Sequence, residues 1–109
     1  MANLELATRL IETLPVGRSL MFNPWRESCT HDRPINTPAA KLARLAEHLD
    51  CNARLILIGE APGYQGCRYS GIAFTSERLL LAGDIPRVQI PSDRLTDRTT
   101  PWSEPSATV

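Results

Sequence analysis

Arg54-Leu55-Ile56-Leu57-Ile58-Gly59 is the run on which the reading of the fold turns. Its apolar residues follow one another without a polar break, and a glycine closes them. A continuous apolar run of this length reads as a strand buried on both faces. The stretch before it, residues 38–50, has helical periodicity. Thr37 supplies an N-cap oxygen, and Pro38 fits the first helical position, where its missing N–H is harmless. Ala39, Leu42, Leu45, Ala46 and Leu49 line one side of that helix, while Lys41, Arg44, Glu47 and His48 lie largely away from it. His48, near the helix end, is expected to be solvated. Helix, short link and buried strand in succession predict an α/β layered domain.

Further out the signals weaken. Residues 3–14 carry Leu4, Leu6, Leu10, Ile11 and Leu14, mostly on one helical face, and Pro15 and Gly17 end the segment. This predicts a packing helix. Residues 18–37 are irregular, with Phe22, Trp25, Cys29, His31 and Asp32 among Pro24 and Pro34, and are expected to form a long ordered loop. Cys29, His31 and Asp32 are metal-ligand types, but they are crowded and lack a fourth partner, so no metal is expected. Beyond the apolar run, Thr75 or Ser76 can cap a helix to about Ala82, with Glu77 in its first turn and Gly83 as its stop. Residues 84–109 lose periodicity. Ile85, Val88 and Ile90 hint at a short extended piece, and Pro91, Pro101 and Pro105 among polar residues predict little structure there.

A chain of 109 residues is bounded to one small domain, residues 1–109. Its 42% hydrophobic and 22% charged content excludes collagen-like and strongly disordered classes. Twelve basic residues balance twelve acidic ones, so net charge neither attracts nor repels nucleic acid. Every basic residue except Lys41 is arginine, which suits bidentate phosphate recognition, although arginine-rich codon usage gives the same bias. Cys29, Cys51 and Cys67 are odd in number and form no CxxC motif, which argues against a disulfide framework or a zinc site. No cofactor is expected. No apolar run approaches the roughly 20 residues that span a bilayer, and no leader pattern is present. A reduced, cytoplasmic setting without a membrane is the default.

The segment after the apolar run, GEAPGYQGCRYSGIAFT over residues 59–75, carries the functional signal. In open α/β sheets, ligands bind beyond the carboxyl ends of strands. Gly59, Gly63, Gly66 and Gly71 allow positive φ and close approach of backbone to a ligand. Backbone N–H groups in such a loop can hold an anion. The spacing matches neither the triphosphate nor the dinucleotide motif, so composition leaves the ligand open.

Extended to GEAPGYQGCRYSGIAFTSE, the run resembles the first active-site motif of the uracil-DNA glycosylase superfamily, closest to its GEAPG-type bacterial and archaeal branches. The likeness covers about 25 residues closely. It implies a three-layer α/β sandwich with a central, mostly parallel sheet. It also implies an enzyme of base-excision repair that extrudes uracil, or a related deaminated base, from DNA. Phe74 then matches the aromatic residue that stacks on the flipped base. Gly59, Ala61, Pro62, Gly63 and Tyr64 surround the base and the glycosidic bond, and Arg68 and Ser70 face the DNA. Glu60 is the loop's own carboxylate and the candidate for orienting the attacking water, or it holds the loop by accepting backbone hydrogen bonds. The chain departs from the family where Ala61 stands in place of an acid, and again near Gly66 and Cys67.

The resemblance also implies a later Asn-bearing strand and a His-Pro-Ser-like motif, and no segment after Phe74 matches either. A truncated N-terminal half, inactive alone, is therefore expected. A fragment completed by a second polypeptide, the missing C-terminal half, is the other possibility. A non-catalytic nucleobase- or nucleic-acid-binding module and an inert fragment are the alternatives.

Overall fold

A computed structural model describes residues 3–17, 21–59 and 66–97. Helix α1 spans Leu4–Glu12, α2 Pro38–His48, α3 Cys67–Ser70 and α4 Glu77–Leu81. Each longer helix begins at a side-chain cap. Asn3 accepts from Leu6 N, Thr37 from Ala40 N and Ser76 from Leu79 N. Such caps satisfy N–H groups that have no partner inside the helix. Pro38 occupies the first turn of α2 as its fixed φ allows. Gly83, at φ 76°, follows the end of α4.

The apolar interior is divided. Ala7 and Ile11 of α1 meet Leu45 and Ala46 of α2, with Trp25, Leu42 and Leu49 packed around them. Alanines on both helices permit a close approach. Ile72, Leu80, Val88 and Leu95 form the second cluster, with Ile85 against it. Residues 84–97 carry no helix, yet they contribute two of those four buried side chains. Glu77 ties this segment down. Its buried carboxylate accepts from Leu95 N at 2.7 Å, Thr96 N at 3.3 Å and Thr96 Oγ1 at 2.7 Å.

The expected α/β sandwich is not what forms. Among the described residues there is no sheet, only an isolated antiparallel bridge between Asp32 and Thr96. The run expected as a doubly buried strand lies outside both clusters, with Leu55, Ile56, Leu57 and Ile58 exposed by 79, 76, 75 and 86%. No backbone hydrogen bond among the described residues involves them. A strand owes its stability to neighbouring strands and to layers on its faces, and the described residues supply neither.

Two helical faces also differ from expectation. In α1 the buried residues are Ala7 and Ile11, and Leu4, Leu6 and Leu10, like Leu14 just beyond the helix, are exposed. In α2, Lys41 and Arg44 are buried against α3 and the 29–36 loop. No described helix is long and apolar enough to cross a membrane.

Candidate functional site

The turn over residues 69–75 is held from beneath by a buried polar cluster. Asp32 organises one side, accepting from Cys29 N at 2.9 Å, Asn36 Nδ2 at 2.8 Å and Lys41 Nζ at 2.7 Å. Lys41 is fully buried, so its ammonium needs that carboxylate. Asn36 Nδ2 also donates to Tyr69 O at 3.0 Å. Arg44 completes the frame. Its Nε donates to Ser70 O at 2.8 Å, and its Nη2 donates to Tyr69 O at 3.2 Å and to Asn36 Oδ1. Burial lowers the Arg44 pKa to about 10 against the pull of Asp32, Glu47 and Glu77, so it stays charged at neutral pH.

The turn is also closed from within and from the side. Ser70 Oγ accepts from Ile72 N at 3.1 Å and donates to Thr75 O at 2.7 Å. Trp25 Nε1 donates to Gly71 O at 2.9 Å. Gly71 has φ 80°, and a Cβ there would stand 2.8 Å from both Lys41 Cβ and Lys41 O. Only glycine lets the turn rest this closely on α2.

At the tip of this fixed turn stands Phe74. Its φ is 57°, in the left-handed region that a bulky side chain rarely adopts, and it is 39% exposed. Outliers of this kind cluster at ligand sites, where the surrounding structure holds them in place. Gly59 lies beside the ring, and a Cβ on it would sit 3.5 Å from Phe74 Cζ. The structure therefore brings together Gly59 and Phe74, two of the residues expected around a flipped base.

The other expected residues divide. Glu60, Ala61, Pro62, Gly63 and Tyr64 lie outside the described residues. Ser70, expected at the DNA, is fully buried with its hydroxyl engaged inside the turn. Arg68 is half-buried, its guanidinium carbon 3.9 Å from the centre of the Phe22 ring. Its Nη2 also lies 3.7 Å from Cys29 Sγ. Burial pushes the Cys29 thiol up, but the His31 backbone, Arg68 and Tyr69 together hold it below its usual range. Burial raises Cys67 to about 12, which leaves it an inert thiol. Among the described residues no three His, Cys, Asp or Glu side chains converge as a metal site would require.

Sequence reasoning missed the cluster that holds the turn, Trp25, Asp32, Asn36, Lys41 and Arg44, and the Glu77 carboxylate that holds Leu95 and Thr96. One signal was available. Lys41, Arg44 and Leu45 share neighbouring positions on α2 at helical spacing, so the two cations border the packed face.

No family model, curated protein or solved structure matches this chain.

Proposed function

We propose that this chain holds a nucleobase extruded from DNA against the Phe74 ring, as a uracil-DNA glycosylase-like protein acting in base-excision repair in the cytoplasm. What carries the reading is the exposed Phe74 ring, at positive φ beside Gly59, on a turn pinned by buried hydrogen bonds. A rigid aromatic face stacks any base without further ordering cost, a contribution of about 1–3 kcal/mol. In the hydrolytic form of the proposal, water attacks the sugar carbon and the glycosidic bond breaks toward the base. The base leaves as an anion with the bonding electron pair, while Glu60 orients the water and takes the proton it loses, which then passes to the released base.

A second reading keeps the base-binding and drops the cleavage. It is favoured by the state of the buried carboxylates behind the turn. Asp32 is engaged by Lys41, Asn36 and Cys29, and Glu77 by Leu95 and Thr96, so neither is available to activate water.

Fluorescence anisotropy on single-stranded oligonucleotides with and without one uracil tests the shared core of both readings. The expected result is tighter binding to the uracil strand, weakened about 5- to 150-fold in Phe74→Gly, the equivalent of the stacking contribution. Equal binding by wild type and Phe74→Gly would sink both. Free-base release in a single-turnover assay then separates them. Release that is lost in Glu60→Gln supports hydrolysis, and binding without release supports the binding module.

A further inference from the structure

Residues 55–58 present an unusual surface. Leu55, Ile56, Leu57 and Ile58 are each at least 75% exposed, and their backbone groups make no hydrogen bond among the described residues. We propose that this run is a self-association edge whose partner is the same run in a second copy of the chain, paired backbone to backbone as β-structure.

Three observations select a second copy. Among the described residues the N–H and C=O groups of the run are unpaired, which is a template for another strand. The side chains are uncharged, branched and free of proline and glycine. Any like-with-like register therefore sets apolar on apolar, and the run holds no charge by which an unlike partner could be recognised. Finally, the chain has a formal net charge of zero at pH 7, so copies approach without mutual repulsion. The flanking Arg54 stands at one end of the run and leaves its centre unguarded.

The same geometry sets how far assembly proceeds. Pairing along one edge leaves the other edge open, and apolar side chains remain on both faces. A two-stranded ribbon is marginal by itself, so further copies add and stack and the association does not stop at a dimer. This route is independent of the Phe74 turn.

Static light scattering and amide-I infrared spectra across a concentration series test the proposal on the full chain. The comparison is wild type with Leu57→Lys, Ile56→Lys and, as a control on another exposed apolar face, Leu10→Lys. The substituted side chains are exposed, so each variant is expected to keep the wild-type far-ultraviolet dichroism at low concentration. The expected result is mass growth in wild type and Leu10→Lys, accompanied by an intermolecular β band. Leu57→Lys and Ile56→Lys stay monomeric at the same concentrations. A wild type that remains monomeric throughout overturns the proposal, whatever else then covers the run. So does growth unchanged in both lysine variants at residues 56 and 57, or growth without the β band.

Discussion

Phe74 and Gly71 show how two backbone positions divide support from presentation. A left-handed residue with a side chain carries a strain of about 1–2 kcal/mol, and Phe74 bears it at φ 57°. Phe74→Gly relieves that strain while losing the contacts of a part-exposed ring. Its stability is expected to change by less than about 1 kcal/mol in urea unfolding, against about 3–5 kcal/mol for truncating a core phenylalanine. A loss in the core range would make Phe74 a packing residue. Gly71→Ala combines left-handed strain with a clash against the α2 backbone, 2.8 Å from Lys41 O. Together these are expected to remove roughly 2–4 kcal/mol, read as a lower urea midpoint.

Among the elements, α2 does the most varied work. One side packs Leu45 and Ala46 on α1, and the other sends Lys41 and Arg44 under the 69–75 turn. Asp32→Ala would strand the buried Lys41 ammonium, and breaking such a pair costs about 3–5 kcal/mol. The double variant Asp32→Asn, Lys41→Met keeps an acceptor for Cys29 N and removes the charge, so it is expected to lose less than the single change. Thermal melts of the two variants compare them directly; a double variant as unstable as Asp32→Ala would refute the account. The helix starts were legible because caps are local: Thr37 with Pro38, and Ser76 with Glu77 in the first turn. The buried faces were less so. Leucine spacing put Leu4, Leu6 and Leu10 on the packed face of α1, whereas the alanines at 7 and 46 decide which side comes close. Lys41 and Arg44 look like a solvated face until Asp32, Asn36 and the Tyr69 and Ser70 carbonyls are placed opposite them.

At the scale of the whole molecule, the end of α2 is joined to the 85–88 turn, where Arg87 Nη2 donates to His48 O at 2.9 Å. His48 was expected to be solvated, but its Nδ1 is buried and has no hydrogen-bond partner among the described residues. Burial, then the nearby Arg87 charge, holds its pKa below the ordinary 6.5. The unfolded chain therefore takes up a proton that the folded chain resists. Stability is expected to fall as pH drops through 6.5 and to level off below the folded-state value. His48→Gln should flatten that part of the urea midpoint against pH; an unchanged slope would exclude His48 as its source. The sequence by itself determined the three side-chain-capped helices, because capping and periodicity act within a few residues. It also marked the glycine-rich stretch that contains the Phe74 turn, since Gly59, Gly66 and Gly71 are visible as residues. Only the tertiary structure decided that Leu55–Ile58 stand outside the core, that cations sit inside it, and that Phe74 is presented at the tip of its turn. Burial depends on what lies opposite a residue in space, and an apolar run or a lysine carries no local record of its partner.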